Sequence, residues 1–184
     1  MNLPNKLTML RICMIPVFVI FAVMKLQWAQ YVALLIYIVA CFTDLLDGKI
    51  ARKRNLVTNF GKFADPIADK LLVMAALVIL VESHRMPAWV CIVMLAREFI
   101  ISGFRLVAAG NGTVIAAGQL GKLKTVFQMA STIALMLLVP VAGAPLLGNF
   151  GVVLANVLMY IAAVLTIVSG AEYIIKNFAC IQDM

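Results

Sequence analysis

The stretch Thr43-Asp-Leu-Leu-Asp-Gly-Lys-Ile-Ala-Arg52 closes a run, Gln30 to Phe42, that carries no charge. Asp44 and Asp47 are three apart and share a face if the run is helical. Gly48, Ala51 and Arg52 follow Asp44 by four, seven and eight residues and fall on or beside that face. Gly61 comes nine residues after Arg52, and then Asp65 and Asp69, four apart and again on one face, with Pro66 between them. Two helix ends joined by the short basic connection 53–60 are expected to be antiparallel neighbours. Their four carboxylates can then converge at one membrane boundary.

The rest of the chain makes this cluster unusual. Of 184 residues, 65% are apolar and 12% charged, and mean hydropathy is +1.08. A soluble domain is about 45–50% apolar and about 25% charged, so a water-facing shell cannot be assembled from this composition. Disordered and disulfide-scaffold classes are excluded as well. Eight residues are acidic, and four of them are Asp44, Asp47, Asp65 and Asp69; the others, Glu82, Glu98, Glu172 and Asp183, are scattered. The net charge of +7 points to a membrane surface as partner, and no nucleic-acid module is present.

A membrane-spanning helix needs about 20 apolar residues. Hydropathy predicts six, over Leu7–Met24, Gln30–Ile50, Phe63–Val81, Pro87–Val107, Lys122–Val139 and Phe150–Ile175. The expected fold is therefore an all-α integral membrane protein with six transmembrane helices, a single membrane-embedded domain over 1–184. Lys25 and Arg85 are the only Lys or Arg in one set of connections. The other set holds Lys6, Arg11, Lys49, Arg52, Lys53, Arg54, Lys62, Arg105, Lys122, Lys124 and Lys176. The positive-inside rule puts that set and both termini in the cytoplasm. Lys6 and Arg11 before Ile12–Met24 imitate a signal peptide, but the small-residue cleavage site is missing, so an uncleaved first span is expected. Trp28 and Trp89 fall near span ends, as interfacial aromatics do. The turn holding Glu82, His84 and Arg85 is expected to be solvated. Cys13, Cys41, Cys91 and Cys180 form no C-x-x-C pair and are expected to pack as small hydrophobes.

Four carboxylates in one small site repel strongly unless cations are present. Oxygen-only ligands favour Mg²⁺, with Mn²⁺ or Ca²⁺ as alternatives. Hard divalent ions suit phosphate substrates, whose oxygens they bridge and neutralise. Gly48, Ala51 and Gly61 allow a bulky ligand to approach the backbone, and Arg52 can pair with a phosphate. Ion pairing with Lys49, Arg52, Lys53, Arg54 and Lys62 would account for one intramembrane Asp. It does not account for four at two helical spacings, and intramembrane acids are functional by default.

The pattern Asp44-x2-Asp47-Gly48-x2-Ala51-Arg52-x8-Gly61-x3-Asp65-x3-Asp69 resembles the complete signature of the CDP-alcohol phosphotransferase family. At residue usages of roughly 5–8%, eight fixed positions match by chance on the order of 10⁻⁹ per starting point. The resemblance implies transfer of a substituted phosphate from a CDP-linked donor to an alcohol, with release of CMP. It also implies that Asp44, Asp47, Asp65 and Asp69 hold Mg²⁺ or Mn²⁺, two ions by family pattern. Asp69 matches the position of the general base on the acceptor hydroxyl. Asp44, Asp47, Gly48, Ala51, Arg52, Gly61 and Asp65 match the positions around the CDP donor. Relatives of this fold suggest a homodimer in the bacterial cytoplasmic membrane, with its active site at the cytoplasmic side.

Outside the signature, Asn2-Leu-Pro-Asn-Lys-Leu-Thr8-Met-Leu-Arg11 resembles the bacterial branch that joins CDP-diacylglycerol to glycerol 3-phosphate. Arg97-Glu-Phe99 with Arg105, and Gly121-Lys-Leu-Lys-Thr125 with Gln128, do the same. A phosphate-bearing acceptor needs a basic pocket, and Arg97, Arg105, Lys122 and Lys124 are its candidates. Asn5, Thr8, Arg11, Thr125 and Gln128 are further candidate contacts. The basic residues have a plainer reading, in which Lys122, Lys124 and Arg105 anchor the interface and Arg97 pairs with Glu98. Two rival functions stand beside this one. One is the same chemistry with phosphatidylglycerol or inositol phosphate as acceptor. The other is a cation or proton transporter using the Asp cluster, against which stand the missing internal repeats.

Overall fold

The computed structural model describes residues 3–54, 59–110, 118–141 and 143–177, with side chains described for all of these except 3–7, 44–54, 59–66 and 69. Six helices occupy the described residues: α1 (Leu3–Val23), α2 (Gln27–Arg54), α3 (Asn59–Glu82), α4 (Ala88–Gly110), α5 (Gln119–Leu138) and α6 (Gly148–Asn177). In hydrocarbon a helix satisfies its own backbone groups, which is why long apolar runs take this form.

Most helices extend beyond the ranges hydropathy predicts, chiefly at their polar ends. α1 begins at Leu3 rather than Leu7, and α2 continues through the basic residues to Arg54. An apolar window stops at the first charges, whereas an α-helix continues past the membrane boundary while water caps its ends. Met24, Pro87 and Val139 fall just outside the helices assigned to them.

The exterior is apolar and the interior carries polar groups, the reverse of a soluble protein. Leu106 (75% exposed), Phe42, Ile92, Phe150 and Ile175 face outward, while Arg11, Lys124, Gln128, Ser131 and Thr132 are buried. α6 is long and apolar enough to cross a membrane, about 45 Å at 1.5 Å per residue. Shorter apolar stretches run over Thr8–Val23 and Gln27–Thr43. The buried hydroxyls of α5 and α6 are satisfied within their own helices: Thr132 Oγ1 donates to Gln128 O at 2.9 Å and Thr166 Oγ1 to Ala162 O at 2.7 Å.

α1 packs along both α2 and α3, and α5 packs along α6, which also receives α4. α5 touches α2 and α3, and so joins the two halves of the bundle. Phe18, Tyr37, Leu77, Leu80, Met94, Leu135 and Met159 fill the core.

The turn after α3 departs from expectation. His84 takes a left-handed φ of 56°, its N–H bonds Val81 O at 3.0 Å, and the Arg85 N–H bonds Leu80 O at 2.9 Å. This is a Schellman end, with His84 in the place glycine usually takes. His84 and Glu82 are exposed as expected, but the turn carries Arg85 inward, where it is buried. Its Nε donates to Ser83 Oγ at 2.8 Å, Nη2 to Gln30 Oε1 at 3.2 Å and Nη1 to Val139 O at 3.4 Å. Gln30 Nε2 in turn donates to Ala22 O at 2.9 Å and Met24 O at 2.8 Å. One guanidinium thus ties the α1–α2 turn, the end of α3 and the end of α5 together. The expectation of a solvated Arg85 is corrected: the Ser83 hydroxyl, the Gln30 amide oxygen and the Val139 carbonyl at the end of α5 take the place of water. Burial pushes Arg85 down to about 10, which leaves it a cation at neutral pH.

Candidate functional site

The side chains of Asp44, Asp47, Gly48, Ala51, Arg52, Gly61, Asp65 and Asp69 lie outside the described residues, as does that of Asn5. Their helices do not. Asp44, Asp47, Gly48, Ala51 and Arg52 lie in α2, and Gly61, Asp65 and Asp69 in α3. Cys41, three residues before Asp44, and Lys70, directly after Asp69, line the same cavity of about 140 Å³. The two helices that carry the Asp pairs therefore both border this cavity. Arg11 of α1, Glu98 of α4, and Thr125 and Gln128 of α5 complete its polar wall; Leu72, Val73, Leu95 and Met129 are among the apolar side chains.

 Among the described residues no three His, Cys, Asp or Glu side chains cluster to hold a metal ion. Carboxylate oxygens, the donors that the Asp residues of α2 and α3 carry, are the kind that suit a hard divalent cation.

An open pocket of about 860 Å³ lies beside this cavity. Arg97, Ser102, Arg105, Gly121 and Lys122 line it, with Ile67, Ile101 and Leu106 on its apolar side. Lys70, Glu98, Phe99 and Thr125 belong to both linings and stand between the two spaces. A trough on the far side shares Arg97, Arg105 and Gly121 and adds Ser169, Glu172, Tyr173 and Lys176 of α6.

Small residues make room for the arginines. A Cβ on Gly170 would stand 3.2 Å from Arg97 Cγ, and Gly121 already meets Arg97 Nη2 at 3.3 Å from its would-be Cβ. Arg97 is thus threaded between α5 and α6. Its Nε is buried without a hydrogen-bond partner among the described residues. Arg105 Nε donates to Tyr173 Oη at 3.3 Å, with its guanidinium carbon 5.4 Å from the centre of that ring.

Glu98 Oε1 receives Lys124 Nζ and lies 3.5 Å from Arg97 Nη1. The structure therefore separates four residues that look alike in sequence. Arg97, Arg105 and Lys122 line the open pocket, whereas Lys124 is fully buried against Glu98 and is no interfacial anchor. Of the further candidates, Thr8 and Arg11 are buried on α1. Thr125 Oγ1 donates to Gly121 O at 3.0 Å, and Gln128 Nε2 is buried without a partner among the described residues.

Sequence reasoning missed Lys70, Glu98, Gly170 and Tyr173. Lys70 had a signal in its position directly after Asp69, and Glu98 in its place between Arg97 and Phe99. Gly170 and Tyr173 had none, because their roles depend on α6 lying against α4.

This architecture, with the Asp pairs on two helices bordering one cavity, defines a class. A model of the CDP-alcohol phosphatidyltransferase family matches residues 1–168, and the chain belongs to that family. It is 44% identical to the CDP-diacylglycerol–glycerol-3-phosphate 3-phosphatidyltransferase of Bacillus subtilis, over 98% of this chain and 97% of that one. The proteins of the same name from Rickettsia typhi and Escherichia coli are 40% and 38% identical, over 94% and 99% of this chain and 94% and 98% of theirs. Family membership decides for an enzyme over a transporter, and divalent-metal use is a general property of the family.

Proposed function

We propose that this protein transfers the phosphatidyl group of CDP-diacylglycerol to sn-glycerol 3-phosphate, giving phosphatidylglycerol phosphate and CMP. The observation that carries this reading is the pair of adjoining spaces. One is bordered by the two helices that carry the Asp pairs, and the other has Arg97, Arg105 and Lys122 on its wall. A phosphate-bearing acceptor fits such a basic wall, while a cationic alcohol is repelled by it.

In this reading Asp44, Asp47, Asp65 and Asp69 hold Mg²⁺ or Mn²⁺, two ions in all. When bound, such ions spread the charge of the transferring phosphoryl group. Gly48, Ala51, Arg52 and Gly61 line the donor site with Asp44, Asp47 and Asp65. Arg97, Arg105 and Lys122 hold the acceptor phosphate, and Lys124 acts through Glu98. Asn5, Thr8, Arg11, Thr125 and Gln128 border the route to the reacting centre. Asp69 takes the proton of the acceptor hydroxyl as its oxygen bonds the lipid-bearing phosphorus. The bond to the CMP oxygen breaks, and CMP leaves. A base within reach of the hydroxyl is what this step requires of the protein.

The same reading puts one domain, 1–184, in the bacterial cytoplasmic membrane as six spans, with both termini and the active site on the cytoplasmic side. Support comes from the apolar exterior of all six helices and the charge asymmetry of their connections. A homodimer is part of the proposal by family pattern.

The test is an assay of purified protein with CDP-diacylglycerol and each of glycerol 3-phosphate, inositol phosphate and phosphatidylglycerol. Product from glycerol 3-phosphate is expected. Product from inositol phosphate alone would overturn the acceptor assignment.

A further inference from the structure

We propose that Glu98 reads the second hydroxyl of the acceptor, the one beside the hydroxyl that attacks. This rests on the glycerol 3-phosphate reading above. Glu98 stands between the inner cavity and the open pocket and lines both, together with Lys70, Phe99 and Thr125. Among the described residues the other charged side chains on these linings are cationic: Arg11 and Lys70 within, Arg97, Arg105 and Lys122 without. Glu98 is the one acidic side chain on these two linings among the described residues.

A carboxylate repels a phosphate, so Glu98 weakens the pocket if anion binding is all the pocket does. Its chemistry suits a hydroxyl, which donates to it in a charge-assisted hydrogen bond. Both of its contacts, with Lys124 and Arg97, fall on Oε1. Oε2 accepts no hydrogen bond among the described residues, while the two cations hold the carboxylate in one orientation. Thr125, the neutral hydrogen-bonding side chain common to both linings, donates its hydroxyl to Gly121 O. Arg97 Nη1 and Glu98 Oε1 lie 3.5 Å apart, close enough for a phosphate on the first and a hydroxyl on the second to belong to one three-carbon polyol phosphate.

The experiment compares glycerol 3-phosphate with 3-hydroxypropyl phosphate, which has the phosphate and the attacking hydroxyl but not the neighbouring one. A site built to bond a hydroxyl discriminates against the analogue lacking it. The wild type is expected to prefer glycerol 3-phosphate by about tenfold to a hundredfold in kcat/KM. Glu98→Ala is expected to erase most of that preference. Glu98→Gln keeps the shape and loses the charge, and is expected to reduce the preference about threefold or more. A residue that only supports the fold lowers both rates together and leaves their ratio alone, so an undiminished ratio in a variant overturns the inference. A wild type that uses both acceptors equally overturns it whatever the variants do. A wild type inactive with glycerol 3-phosphate but active with another alcohol removes the acceptor reading and this inference together.

Discussion

Arg97 of α4 lies so close to Gly170 of α6 that a Cβ at position 170 would stand 3.2 Å from its Cγ. The contact explains how a long cation enters a helix bundle, because a missing side chain on one helix receives the stem of the other. Gly170→Ala sets two effects against each other. A helical Ala is better than Gly by about 0.5–1 kcal/mol, while the Arg97 stem must move by a few tenths of an ångström. Stability is therefore expected to hold and the acceptor KM to rise a few-fold. Gly170→Leu displaces the stem altogether, and about tenfold or more is expected to be lost in kcat/KM for the acceptor. Steady-state kinetics with each substrate varied in turn checks this, and an unchanged acceptor KM in the Leu variant counts against the role of Arg97.

Arg97→Lys keeps the charge but gives up the planar fork that matches a phosphate. Roughly a tenfold to a hundredfold fall in acceptor kcat/KM is expected. Donor affinity, read by titration with CDP-diacylglycerol, should stay within error. Equal loss for donor and acceptor would show that Arg97 serves the bundle rather than the pocket.

The clamp at the opposite end concerns stability alone. Arg85→Met leaves Gln30 Oε1 and Val139 O without that donor, a loss of about 1–3 kcal/mol for each buried group left unsatisfied. A lower unfolding midpoint in detergent is expected, with near-normal turnover at low temperature. Combining it with Gln30→Leu should cost less than the sum of the two single changes, because the pair is coupled. Strict additivity would argue that Arg85 and Gln30 act separately.

The Asp cluster is tested by removal of its cation. Chelation should abolish turnover, and Mg²⁺ or Mn²⁺ should restore it. Asp69→Asn should still bind CDP-diacylglycerol but lose catalysis by about a hundredfold or more. Transfer at the wild-type rate in that variant would mean that another group takes the proton.

Membrane placement has its own measurement. Cysteines introduced at His84 and at Lys122, both exposed, lie on opposite sides of the membrane in the six-span reading. A membrane-impermeant maleimide applied to intact cells should label the first and spare the second in a background with the native cysteines replaced. Labelling of both from outside contradicts that topology.

Local pattern made much of this molecule legible. Six apolar runs predicted six helices, and the spacing of Asp44, Asp47, Asp65 and Asp69 marked the chemistry, because helical faces follow from positions three and four apart. The basic residues were legible as a group but not one by one. Lys122 and Lys124 are two apart and look equivalent, yet one is exposed and the other fully buried against Glu98. Nothing within α5 distinguishes them except which face turns into the bundle.

The sequence by itself therefore determined the helical membrane architecture, the family and the position of the carboxylates along the chain, all of which depend on composition and short spacings. Only the tertiary structure decided that Arg85 is a clamp, since its partners Gln30 and Val139 lie 55 and 54 residues away. It also decided that Gly170 makes room for Arg97 and that Glu98 stands between two cavities. Those facts belong to helix crossings, where side chains distant in sequence exclude or receive one another, and no single helix carries a record of what it will be packed against.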